Sequence, residues 1–384
     1  MQLRGHVVFV NRLQKQLTAT NERVKSESRL ATPPRAVIHM GIHKTGSTTI
    51  QLQSLRKREL LQLDGYEMPW AANKENNARV RDGKNGGHCH QNQVHFATCF
   101  LAPSTRERAA HPCEPNLLLH GLDIAKRNHS LFVSAETFSI IDEEGVNMLA
   151  SYLSHWQEVT IVVFYRRYYD WLLSVHNQLS KNRIIQHERL EKINFLSENA
   201  LQYRHNYIVN TVQHLKNKFH KDDIVVLNYH DKNNGGSDES LFCHAVPDAK
   251  HMCNAIRVEG SLKTNSKINM DYRDLAHYAN ITGMVRIESQ KKMKQVTDAI
   301  QIFHEKKSTN SELKRVCPPP DTLEKLWNLT FMSEIMFSPE KEFLDHDEIG
   351  LRSDFEKASV STLCKVDVKK TLAEETWQAF FKNL

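Results

Sequence analysis

The chain has 384 residues, of which 40% are apolar and 25% charged, with only 14 glycines and 11 prolines. That composition excludes collagen-like, coiled-coil and wholly disordered classes, and a chain this long buries a full core without staples. The 51 Lys and Arg exceed the 45 Asp and Glu by 6, which suits an anionic ligand but is too dilute to indicate nucleic acid.

No run of apolar residues is long enough to span a bilayer, so no transmembrane segment is predicted. The first apolar stretch, Val7 to Val10, is too short for a signal peptide. Seven cysteines, an odd number in a long chain, do not read as a disulfide scaffold. Asn-x-Ser/Thr sites at Asn128, Asn280 and Asn328 occur about as often as chance predicts and do not indicate a compartment.

In chain order, residues 1–34 are charged and poorly patterned and read as a mobile lead-in. Arg35–Met40 reads as a buried strand, followed by a Gly-containing loop and a helix from about Ser47 to Leu63. Residues 72–116 are polar and rich in Asn, Gly and His, and read as an insertion or a substrate-facing loop. Strands are predicted at Ser130–Ala135, Val159–Tyr165 and Ile224–Tyr229, with helices at Glu144–Trp156, up to Leu179, and near Ala200–Phe219. From about residue 268 to 384 the chain reads as helical, broken at Cys317–Pro320, with a last helix docked by Trp377, Phe380 and Phe381. Strands separated by helices predict a three-layer α/β fold with a parallel sheet. No clean linker interrupts it, so residues 35–384 read as one enlarged domain.

The segment Gly41-Ile42-His43-Lys44-Thr45-Gly46-Ser47-Thr48-Thr49 lies between a strand and a helix. Small residues let a backbone wrap an anion, and a helix start offers N–H groups and a positive dipole end. Hydroxyls at Thr45, Ser47, Thr48 and Thr49 add donors, and Lys44 adds a charge. The glycine spacing matches the Walker A pattern, but Ser47 stands where that pattern needs lysine, which disfavours an ATPase.

The run His39–Gln51 (HMGIHKTGSTTIQ) resembles the 5′-phosphosulfate loop of sulfotransferases that use 3′-phosphoadenosine 5′-phosphosulfate, in the form found among carbohydrate-type and bacterial-like members. The resemblance implies a P-loop-like α/β fold over roughly residues 35–285. It implies that His43, Lys44, Thr45, Gly46, Ser47, Thr48 and Thr49 hold the cofactor's 5′ end. The family's second signature is an arginine at a strand end and a serine eight residues on, which bind the 3′-phosphate. Arg166 and Ser174 stand at that spacing, with Arg167 as the register alternative and without the Asp-Pro that often follows the arginine in the family. Arginine suits the task because its planar fork pairs with phosphate oxygens. Lys263 and Lys267 sit where the family folds a segment over the nucleotide.

The resemblance implies sulfuryl transfer to a hydroxyl or amine, on a carbohydrate, with no metal. Lys44 would neutralise the leaving group. Glu136, at the end of the second strand, resembles the family's glutamate base; His43 is the rival, and a helix-starting charge is the structural alternative for Glu136. His88, Cys89, His90 and His95 do not have converging zinc-ligand spacing. Cys243 and Cys253 either pair or are two buried thiols. Two other functions compete: a P-loop small-molecule or nucleotide kinase, and an inactive nucleotide-binding homologue. Carbohydrate members of the family usually work in the Golgi lumen behind an N-terminal anchor; without a signal or anchor here, the cytoplasm is the alternative.

Overall fold

The structure, a computed structural model, describes residues 33–41, 45–69, 91–107, 109, 111–181, 196–231, 235–261, 270–306, 312–337 and 348–384. Its centre is a five-stranded sheet in the order β2-β3-β1-β4-β5. The strands are β1 (Arg35–Met40), β2 (Tyr66–Glu67), β3 (Ser130–Ala135), β4 (Glu158–Tyr165) and β5 (Ile224–Asn228), and every pairing is parallel. β1 and β3 have the predicted bounds. β4 begins one residue early and β5 ends one residue short. β2 is absent from the predicted elements, because two residues carry no periodicity.

A parallel sheet is covered on both faces, so its strands read as continuous apolar runs. Here Ala36, Ile38 and Met40 of β1 join one core with Val133, Ile161 and Val163. Val37 joins the opposite core with Phe132, Val162 and Phe164. On the second face lie α1 (Ser47–Arg56) and α2 (Arg58–Leu63), through Ile50, Leu55 and Leu61. The single helix predicted from Ser47 to Leu63 is broken at Lys57.

The segment that reads as a loop insertion is in part core. α3 (Gln91–Thr98) and α4 (Pro103–Arg106) fall within it. Phe96, Ala97, Phe100 and Leu101 are buried. Their i, i+1, i+4, i+5 spacing is that of a helix face, masked in the sequence by the Asn- and His-rich run before it. The rest of the segment up to residue 90 lies outside the described residues. α5 (Pro115–Lys126) and α6 (Glu143–Leu153) cover the same face as α3. So do α7 (Tyr168–Lys181) and α8 (Glu198–Lys218).

After β5 come α9 (Ser237–Ser240), a π-helical turn (Leu241–Ala245) and α10 (Lys250–Glu259), all on the α1 face. The C-terminal part is helical as predicted: α11 (Met270–Ile281), α12 (Gln290–Lys306), α13 (Pro320–Phe337), α14 (Glu348–Ser361), α15 (Val368–Leu372) and α16 (Glu375–Lys382). α13 and α14 pack on the sheet core through Leu326, Trp327, Leu351 and Phe355. α11, α12, α15 and α16 build a third cluster, where Trp377 and Phe381 are buried and Phe380 stacks on Phe303 at 4.3 Å. A small antiparallel pair, β6 (Arg315–Val316) with β7 (Lys365–Val366), is likewise too short to leave a sequence pattern.

Six of the seven cysteines are paired: Cys99–Cys113, Cys243–Cys253 and Cys317–Cys364. This corrects the reading of the odd count as no scaffold; the seventh, Cys89, lies outside the described residues. Pairing here joins elements that the fold brings together, so regular spacing is absent from the sequence.

A cross-link stabilises chiefly by restricting the unfolded chain, and more so for a longer loop. Cys317–Cys364 closes a separation of 47 residues and Cys243–Cys253 one of 10. Urea unfolding is expected to show C317S/C364S losing about 4 kcal/mol and C243S/C253S about 3 kcal/mol. The reverse order would show that the shorter bridge does more than restrict the unfolded chain.

Candidate functional site

β1 and β4 are neighbours, yet the chain leaves β1 for α1 on one face and leaves β4 for α7 on the other. Where connections diverge in this way, a crevice opens outside the carboxyl ends of the strands. Four residues stand there, at or just past the strand ends: Gly41 after β1, Glu136 after β3, Arg166 after β4 and Tyr229 after β5.

The loop after β1 turns into α1 at Gly46, whose φ of 85° and ψ of 10° are left-handed. Glycine takes this conformation without steric cost. α1 has ten residues, no side-chain cap and no acidic residue in its first turn. Its amino end therefore keeps the positive character that favours an anion. Gly41 is also a close approach: a Cβ there would lie 2.9 Å from the Ser47 Cβ and 3.4 Å from the Glu136 Cα.

Thr45, Ser47 and Thr49 are buried and Thr48 is half-buried. Ser47 Oγ donates to Glu136 Oε1. Glu136 opens a 3-10 turn, Glu136–Ile140, which Ser139 closes by donating to the Glu136 carbonyl at 2.7 Å. Two predicted site residues thus meet each other. A hydroxyl has one proton, so Ser47 cannot donate to Glu136 and to a ligand at once. His43 and Lys44 lie outside the described residues, as do Lys263, Lys267, His88 and His90. His95, the other member of that histidine group, sits 2.6 Å from the Pro112 carbonyl through Nδ1.

Arg166 is 13% exposed, and its Nε donates to Asp170 Oδ2 at 2.7 Å. Its guanidinium lies over the Tyr229 ring, 4.9 Å from the centroid. Tyr229 in turn reaches α1: its Cε2 is 3.7 Å from the point a Gly46 Cβ would occupy. The two predicted anchors are therefore joined across one aromatic ring. Ser174 is half-buried on α7 and shares a face with Asp170, four residues before it. Arg167 turns elsewhere: its Nη1 donates to Asp354 Oδ2 on α14 at 2.9 Å.

Several residues that shape the crevice are not among the predicted site residues. Asp170 has a signal in the sequence, an acid four residues after an arginine at a helix start. Ser237, packed on Gly46, and Asp238, fully buried and accepting from Gln53 Nε2 at 3.0 Å, come from α9. Beneath the crevice, Ser134 gathers three partners. Gln51 Nε2 donates to its carbonyl at 2.9 Å, its N–H donates to Gln93 Oε1, and its Oγ is 2.7 Å from His39 Nδ1.

Burial lowers His39 to about 3 against a weaker opposing effect from Glu136, and burial lowers His230 to about 4. His230 Nε2 accepts the Arg167 N–H at 3.2 Å, as a neutral imidazole does.

The chain matches no family model, no curated protein and no solved structure.

Substituting Gly46 by alanine forces a side chain into left-handed backbone and places its Cβ 2.1 Å from Ser237 Oγ. A loss of about 1–3 kcal/mol in denaturant unfolding is expected. His39 and His230, the two lowered furthest of four depressed histidines among the described residues, contribute a pH dependence. Unfolded, each takes up its proton near 6.5; folded, only near 3 and 4. The unfolded state then binds more protons below pH 6.5, so stability falls as pH drops from there towards the folded values. A melting temperature that follows this course, and falls less steeply in H230Q, is the expected result.

Proposed function

We propose that the chain is a sulfotransferase that moves the sulfuryl group of 3′-phosphoadenosine 5′-phosphosulfate to a hydroxyl or amine on a carbohydrate. The observation that carries this reading is the meeting of its separate parts in one crevice. The start of α1, Glu136 and Arg166 come from three strands, and they are linked through Ser47–Glu136 and through Tyr229. The sheet order and the diverging helices suit a P-loop-like fold of the kind the resemblance implies. Six paired cysteines suit an oxidising compartment such as the Golgi lumen.

In this reading the amino end of α1 and the hydroxyls of Thr45, Thr48 and Thr49 hold the 5′-phosphate. Arg166 and Ser174 hold the 3′-phosphate. Sulfuryl transfer is an in-line displacement in which placement and charge stabilisation dominate, as in phosphoryl transfer. The bond from sulfur to the bridging oxygen breaks as the acceptor oxygen bonds to sulfur. Lys44 balances the charge left on the departing adenosine 3′,5′-bisphosphate, and Glu136 takes the acceptor's proton. The Ser47 hydroxyl holds that carboxylate at the strand end.

Thermal shift with adenosine 3′,5′-bisphosphate, and separately with ATP and magnesium, tests the reading. Stabilisation by the bisphosphate is expected; stabilisation by ATP and magnesium alone would favour a kinase. Sulfate transfer from radiolabelled cofactor to a glycan panel separates an enzyme from an inactive homologue. E136Q is expected to keep bisphosphate binding and lose turnover by about 10²–10⁴. K44A is expected to lose about 10²–10³ in rate. Full turnover in E136Q would remove Glu136 as the base.

A further inference from the structure

Arg166 is held in two independent ways. Along its edge, Nε donates to the Asp170 carboxylate at 2.7 Å. In addition, its guanidinium carbon lies over the Tyr229 ring, 4.9 Å from the centroid. A planar ion held along one N–H and over an aromatic ring is restricted in rotation, which narrows the directions of its other N–H groups. Asp170 itself is anchored, since it stands in the first turn of α7, one turn before Ser174. His230 approaches the same Asp170 oxygen at 3.8 Å but uses its Nε2 to accept the Arg167 N–H, so it does not compete for the carboxylate.

We propose that Asp170 is a positioning residue that aims Arg166, so that the site reads where on the ribose the second phosphate sits and not merely that it is charged. This rests on the sulfotransferase reading for the identity of the ligand. Two effects of Asp170 oppose each other. Its charge weakens the local attraction for any phosphate, whereas its hydrogen bond fixes the arginine. Affinity for one ligand mixes the two. Comparing two ligands of equal charge that differ only in phosphate position removes the part of the charge effect common to both, and D170N, which removes the charge but keeps an acceptor, reports the rest.

The experiment is titration calorimetry of the full chain with adenosine 3′,5′-bisphosphate and with adenosine 2′,5′-bisphosphate. Wild type is expected to prefer the 3′ isomer. D170A is expected to reduce that preference about tenfold, as loss of one charge-assisted hydrogen bond would. D170N, which keeps an acceptor oxygen in place, is expected to stay within about twofold of wild type. If D170A changes both affinities by the same factor, Asp170 acts by charge alone and the proposal is overturned while the sulfotransferase reading stands. A wild type that binds both isomers equally overturns the proposal too. A wild type that binds neither isomer overturns the sulfotransferase reading and the proposal together. Asp170 is a third exposed on the surface of α7, so both variants are expected to fold, which a melting curve checks.

Discussion

At Ser134 the sheet runs out of strand. β2 pairs with β3 only at Ser130 and Leu131, so the outer edge of β3 is left with polar backbone in a buried place. Leaving such groups unpaired costs about 1–3 kcal/mol each. Gln51 from α1 and Gln93 from α3 supply the missing partners, one donating to the carbonyl and one accepting from the N–H. The Ser134 side chain faces His39 on β1. One residue therefore ties helices from both faces of the sheet and the central strand. Glu136 follows two residues later, and Gln51 lies one turn into α1. The distance between the carboxylate and the start of that helix is a consequence of how this edge is closed.

From there the crevice assembles by direct contact. Gly41 allows α1 to approach β3 closely, and Ser47 bonds to Glu136. On the other side, Tyr229 fills the space between Gly46 and Arg166. The net charge of +6 explains little of this. A helix start contributes roughly 0.3–1 kcal/mol towards an anion. A charge-assisted hydrogen bond contributes about 1.5–3 kcal/mol. An arginine aimed correctly outweighs a general excess of lysines on the surface.

The strands that build the crevice are legible because short apolar runs, such as Ala36–Ile38 and Leu131–Val133, pass through a sheet covered on both faces. β1 and β3 are bounded to the residue for that reason. The turn after β1 is legible as well, since glycines and hydroxyls between a strand and a helix are an uncommon combination. Contacts made by folding are not. Ser134 looks like any strand serine, and Tyr229 like any strand end; their roles come from residues about 40 to 180 positions away in the chain. The α3 region reads as loop because its apolar face follows a polar run, and the disulfides stay hidden because no local pattern announces them. Asp170 is the exception. Its spacing from Arg166 is visible in the sequence, but a strand-end arginine and a helical acid form an ordinary pair until the arginine is seen over the Tyr229 ring.

Ser47 carries a constraint that spacing alone does not reveal. As a member of a phosphate loop it would offer its hydroxyl to the anion. In the structure that hydroxyl donates to Glu136, and a single O–H proton serves one acceptor well. In the proposed sulfotransferase reading, the division of labour that satisfies both needs assigns the Ser47 backbone N–H to the anion, as helix starts commonly do, and its side chain to the carboxylate. In that reading Thr45, Thr48 and Thr49 are the turn's other hydroxyl residues. The start of α1 and the Glu136 carboxylate are thus joined through one residue. Ser47 therefore links the helix start to the carboxylate, a role that likeness to a phosphate loop would count only as that of another donor.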